Sequence, residues 1–300
     1  MIVGLSGEPE HGELFRKWAA TLVETAAGRF GIARDRIVYL DADAAAKGAT
    51  AKSTRDDIGR AFERLATQAA AGDIVVVVLI GHGSFDGRLA RFNLPGPDMT
   101  PADFAPLLKK LKADQIVFVN TASASGPYLE LAGPGRTIVT ATRSGAEQYS
   151  TLFGGFFVEA LTSEAADMDK NGRVSILEAF NAAKREVAAA YQREGIMLTE
   201  HAMLDDSGDG KGALEPAADG ADGRIAAVVS VGSAADAAPL PADPVLRELY
   251  VERRNLERRV ESLKLLKSGM DPARYAAELE KLLTELALKT QAMRAAEGKK

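Results

Sequence analysis

Seven consecutive apolar residues, Ile74-Val-Val-Val-Val-Leu-Ile80, constrain this chain more than any other feature. The run is dominated by β-branched side chains, which favour extended backbone. Alternate positions of a strand point to opposite faces, so a run with no polar alternation has both faces covered. The strand predicted over Asp73–Ile80 therefore sits centrally in a parallel sheet, with helices above and below. The rest of the chain supplies them. Further strands are predicted over Ile2–Ser6, Arg36–Leu40, Gln115–Asn120, Thr137–Ala141 and Arg224–Val231. Helices are predicted over Glu13–Ala27, Thr54–Ala70, from Thr100 onward and over Gly154–Leu161. Ser53 or Thr54 caps the second helix, with Asp56 and Asp57 at its positive end, and Thr100-Pro101 opens the third. The fold class is α/β, a mostly parallel sheet flanked by helices.

A composition break ends this pattern. Residues 1–232 read as the α/β domain, Gly232–Asp243 (GSAADAAPLPAD) as a linker occupying 233–243, and 244–298 as a helical hairpin. Leu249, Leu256, Val260 and Leu263 mark one apolar stripe, and Tyr275, Leu279, Leu282, Leu286 and Met293 mark another. Between them, KSGMDPA supplies Gly269 as a stop, Asp271 as a cap and Pro272 at a first turn. The hairpin either packs as an appendage or drives self-association as a coiled coil.

Composition excludes several function classes. A formal charge of −5, with no basic patch interleaved with aromatics, argues against nucleic-acid binding. No apolar run approaches the roughly 20 residues of a membrane span, and the chain opens on the strand-like MIVGLSG rather than a leader. With no cysteine, disulfides, thiolate metal sites and cysteine nucleophiles are ruled out.

Ligands of open α/β sheets gather beyond the carboxyl ends of the strands. Two such ends stand out: Gly81-His82-Gly83 after the apolar run, and TASASG (Thr121–Gly126) after IVFVN. Gly83 permits close backbone approach, His82 is either a proton donor or a structural hydrogen-bonder, and the small residues leave space. His11, beyond the first strand, borders the same region, whereas His201 has no spacing partner for a metal site. GLSGEPEHG lacks the spacing of a phosphate loop.

The order apolar strand, His-Gly, helix, strand, small turn ending Ser-Gly, then TIVTATRSGAEQYSTLFGGFFVEAL resembles the caspase-type peptidases, most closely the legumain-like C13 group and its bacterial relatives. The similarity covers Ile2 to Val231. It implies a caspase-like sheet and a catalytic dyad whose histidine matches His82 and whose cysteine position falls on Ser123. It also implies that Arg143 and Glu147 line the pocket for the side chain before the cleaved bond. There Arg143 meets an acidic side chain or Glu147 a basic one, or the two pair with each other. In the resembling family the histidine stands back from the nucleophile, a geometry that suits a thiolate and serves a hydroxyl badly. The expectation is a catalytically inactive homologue, a pseudoenzyme that binds a peptide or protein. The alternatives are an active hydrolase using Ser123 with His82, or a Cys-to-Ser form of a cysteine peptidase.

DMDKNGRVSILE, Asp167 to Glu178, fills every position of the twelve-residue EF-hand calcium loop. Asp167, Asp169 and Asn171 occupy positions one, three and five, Gly172 the sharp turn, and Arg173 offers its carbonyl. Ser175 stands at nine, through water, and Glu178 closes the loop at twelve. The expected cofactor is Ca2+, structural or regulatory. Because a single site fills best at extracellular calcium levels, the location expected is periplasmic or secreted. LDDSGDGKG begins the same way with Asp205, Ser207 and Asp209 but lacks the closing acid, and reads as a plain turn or a second, incomplete metal site.

Overall fold

The computed structural model describes residues 1–70, 72–233, 241, 243–265, 267 and 270–297. The strands are β1 (Ile2–Val3), β2 (Leu40–Asp41), β3 (Ala51–Lys52), β4 (Ile74–Ile80), β5 (Gly83–Phe85), β6 (Ala90–Phe92), β7 (Gln115–Asn120), β8 (Arg136–Thr140), β9 (Arg173–Ser175), β10 (Met203–Asp205) and β11 (Ser230–Ser233). The helices are α1 (Pro9–Gly28), α2 (Arg55–Gln68), α3 (Pro101–Lys109), α4 (Phe153–Thr162), α5 (Ile176–Glu194), α6 (Pro244–Leu265) and α7 (Pro272–Glu297). A seven-stranded sheet in the order β10-β8-β7-β4-β1-β2-β3 is parallel throughout, apart from β10 at its edge. This is the mixed α/β architecture expected from the sequence, with β4 in the middle.

Side-chain alternation along the central strands divides the core. Val78, Ile80, Val117 and Val119 pack with residues of α1, α4 and α5, while Val77, Leu79, Ile116 and Phe118 pack with Ile58, Phe62 and Phe104 on the other face. Helix starts follow from local chemistry. Thr54 accepts from the Asp57 N–H, and Thr100 forms a capping box with Asp103 ahead of Pro101.

Two predicted strands are corrected. In the predicted strand Arg36–Leu40, Arg36 is the last residue of a 3-10 turn, Arg34–Arg36, and the ladder begins only at Leu40, opposite Ile2. Arg224–Val231 is no sheet strand: its first residues are turns, and β11 pairs antiparallel with β9 in a separate ribbon. The first strand is also shorter than predicted, since the Gly4 N–H still reaches the Ile80 carbonyl but the Leu5 N–H bonds to the Asn93 carbonyl outside the sheet. The hairpin β5–β6 was not anticipated, although its Asp86-Gly87 turn is a hairpin signal. Asp86 accepts the Arg88 and Leu89 N–H groups and pairs with Arg91, so its carboxyl is held down at about 2.

The C-terminal helices form the antiparallel hairpin, with Leu256, Val260, Leu263 and Leu282 as its buried seam. Tyr250 near the start of α6 donates to Glu297 at the end of α7 (2.6 Å), and Lys289 pairs with Glu252. Gly269 and most of the predicted linker lie outside the described residues. Among the described residues no helix is long and apolar enough to cross a membrane.

Candidate functional site

The central strands bring the two predicted strand ends together. β4 and β7 pair with Leu79 opposite Asn120, and His82 and Ser123 each follow three residues later. Contact between the two ends is made by Gly83. Ser123 Oγ donates to the Gly83 carbonyl (3.0 Å) and accepts the Gly83 N–H (3.2 Å). A Cβ at residue 83 would lie 2.2 Å from the Ser123 carbonyl oxygen, so only glycine allows this approach. Ser123 itself is 4 % exposed.

The turn after Ser123 is over-determined. Ala124 sits at φ +54°, a left-handed conformation uncommon for a residue with a Cβ, and its N–H is held by the Glu147 carbonyl at 2.7 Å. Ser125 Oγ lies 3.1 Å from Thr142 Oγ1, which also accepts the Gly126 N–H at 3.0 Å. Thr151 Oγ1 donates to the Thr121 carbonyl at 2.5 Å.

His82 faces elsewhere. Its ring meets that of His11 edge-on at 4.8 Å between centroids, and that of Phe15 of α1 at 5.2 Å. Burial first, and then the neighbouring His11, push its pKa below the ordinary imidazole value, against the pull of the Ser6 backbone and Glu8. Among the described residues His82 makes no hydrogen bond to Ser123; that hydroxyl bonds to Gly83 alone. A serine nucleophile is activated by a base in hydrogen-bond contact, and the hydroxyl contact here is with the Gly83 backbone.

The two predicted pocket residues diverge. Glu147 turns inward: Oε2 accepts the Arg143 and His201 N–H groups (both 3.0 Å), and Oε1 lies 2.7 Å from His201 Nδ1. Arg143 approaches Glu147 at 3.7 Å and stays 56 % exposed, so of the two it alone keeps its charged group accessible. Sequence reasoning missed His201 as the partner of Glu147, because 54 residues separate them. It also missed Glu200, a buried carboxylate that accepts the Leu152 N–H (2.9 Å) and Phe153 N–H (3.2 Å) at the start of α4. Burial raises its pKa, and no local pattern announces it.

The acidic loop lies between α4 and α5, after a 3-10 turn at Glu164–Ala166. Carboxylate oxygens of Asp167, Asp169 and Glu178 lie within 4.8 Å of one another. The loop is wound around them by its own backbone. Asp167 accepts the Asn171 (3.1 Å) and Gly172 (2.9 Å) N–H groups, and Asn171 Oδ1 accepts that of Arg173 (2.9 Å). Gly172 turns at φ +83°. Glu178 Oε1 accepts the Met168 N–H (2.9 Å), while Oε2 closes a capping box with Ser175 (2.8 Å). Partial burial, together with the charge of Glu178, raises the pKa of Asp169. Such a set of hard oxygen donors around excess negative charge suits Ca2+. The short strand β9 pairs with β11, Ser175 opposite Ser230, and the Val229 carbonyl accepts the Ile176 N–H at 2.8 Å. Asp205 ends β10, and Ser207 and Asp209 lie in the turn beyond it.

No protein-family model matches the chain, and no curated protein matches it.

Proposed function

We propose that this chain is a calcium-binding, non-hydrolytic homologue of the caspase/legumain-like peptidases, holding a peptide or protein at the strand-end rim. One observation carries the proposal: the Ser123 hydroxyl is buried and bonded both ways to the Gly83 backbone, while His82 packs against His11 and Phe15. A hydroxyl so placed has neither a base to activate it nor exposure to a substrate carbonyl. The likeness to the peptidases is supported by the emergence of both dyad positions from adjacent parallel strands. Calcium binding is supported by the three convergent carboxylates of the 167–178 loop. Arg143, exposed beside the rim, is the residue offered to an acidic side chain of the ligand. The proposal includes a calcium-rich, periplasmic or extracellular setting.

The test is incubation of the full chain with a diverse peptide library, with and without Ca2+, read by mass spectrometry beside Ser123→Ala and Ser123→Cys. The chain and its alanine form are expected to cut nothing, and cuts gained by Ser123→Cys would support the peptidase ancestry. Specific cuts by the chain that vanish in Ser123→Ala would sink the proposal in favour of a serine hydrolase.

A further inference from the structure

A second acidic turn follows the edge strand β10. Its first residue, Asp205, pairs with Ile138 of β8 and is fully buried, 0 % exposed. Its Oδ1 accepts the Gly208 N–H at 2.8 Å, but Oδ2 is buried with no hydrogen-bond partner. An orphaned carboxylate oxygen in the interior is costly, and folded proteins keep few of them. The neighbouring carboxylates do not relieve it. Asp206 is occupied by the Gly223 (2.8 Å) and Ala226 (2.7 Å) N–H groups, and Asp222 Oδ1 by those of Asp206 and Ser207 (both 3.1 Å). These two lace the turn to residues 222–226 and leave Asp205 as the acid with capacity to spare.

The orphan oxygen belongs to a carboxylate that faces other oxygen donors. The Asp209 carboxyl, anchored by the Lys211 N–H at 2.9 Å, also contacts the side chains of Asp205 and Ser207. Asp205, Ser207 and Asp209 thus repeat the one, three, five spacing of the 167–178 loop, with Gly210 next. The cation beside them, Lys211 at 3.7 Å from Asp209, is 84 % exposed and free to yield its place.

We propose that Asp205, Ser207 and Asp209 bind a second calcium ion, with Asp205 Oδ2 as its innermost ligand. The donors are hard oxygens throughout, which selects an alkaline-earth cation over a transition metal. Position twelve of this turn is Pro216, and Glu215 pairs with Lys184 instead. Lacking a bidentate acid, the site is the weaker of the two.

Isothermal titration of the full chain with Ca2+ tests this, using Asp209→Ala to disable the turn from its exposed side and Glu178→Gln to disable the other loop. Two ions are expected for the chain, one for each variant and none for the double variant, with circular dichroism reporting that each is folded. If Asp209→Ala leaves the stoichiometry unchanged, or if folded Glu178→Gln binds no calcium, the second site is overturned. If the Glu178→Gln protein does not fold, the comparison of the chain with Asp209→Ala decides alone. A single ion that Asp209→Ala removes and Glu178→Gln spares would uphold this site and refute the 167–178 loop, so the two readings fail separately.

Discussion

At the strand-end rim the polar groups have found partners in distant parts of the chain, whereas the loop from Asp167 to Glu178 gathers carboxylates held by backbone N–H groups and side chains of the loop itself. Ser123 bonds to Gly83, Glu147 to His201, and Ser125 to Thr142. In the loop, partial burial first and then the charge of Glu178 raise the pKa of Asp169. A rim closed on itself is braced, and a loop with excess negative charge suits the cation proposed for it. The difference is one of reach: the rim partners lie 17 to 54 residues apart along the chain, those of the loop no more than 10.

The largest effect is expected at Gly83. A side chain there collides with the Ser123 carbonyl, so Gly83→Ala is expected to destabilise the protein by about 3 kcal/mol or more, read by urea unfolding. A loss below about 1 kcal/mol would show a rim that yields to a side chain. At the loop, Glu178→Gln removes the closing charge, and calcium affinity there is expected to fall roughly 100-fold by calorimetry. Ser175→Ala deletes the cap of α5 and half of its capping box, a stability loss of about 1 kcal/mol in calcium-free unfolding.

The smallest effect is the pH response of His82. Its folded pKa lies below that of the free imidazole, so the unfolded state binds more protons between the two values. The contribution is therefore complete above the unfolded pKa of about 6.5 and is lost as pH falls through it towards the folded value. Unfolding midpoints of the chain should decline over that interval, and those of His82→Gln should decline less. An equal decline would place the titration elsewhere.

Much of the fold was legible because its signals are local. The run Ile74–Ile80 requires two covered faces wherever it lies, and in the sheet it stands between β1 and β7. The acidic loop closes on itself within twelve residues, so spacing alone brought its carboxylates together. What escaped the sequence depended on distant partners. Leu204 and Asp205 read as the start of an acidic stretch, and they join the edge strand Met203–Asp205 because β8 offered a free ladder. Ser230–Ser233 left the main sheet for β9, since the calcium-type loop presented an unpaired strand of its own.

By itself, then, the sequence determined the parallel α/β core, the helix caps, the C-terminal hairpin and the wound acidic loop, all set by side-chain periodicity or by bonds spanning a few residues. Tertiary structure alone decided where His82 points, that Ser123 closes on Gly83, that Glu147 turns to His201, and that Asp205 is buried with one oxygen unmet. Each of these turns on which distant group lies within hydrogen-bond reach, and neither spacing nor periodicity carries that information.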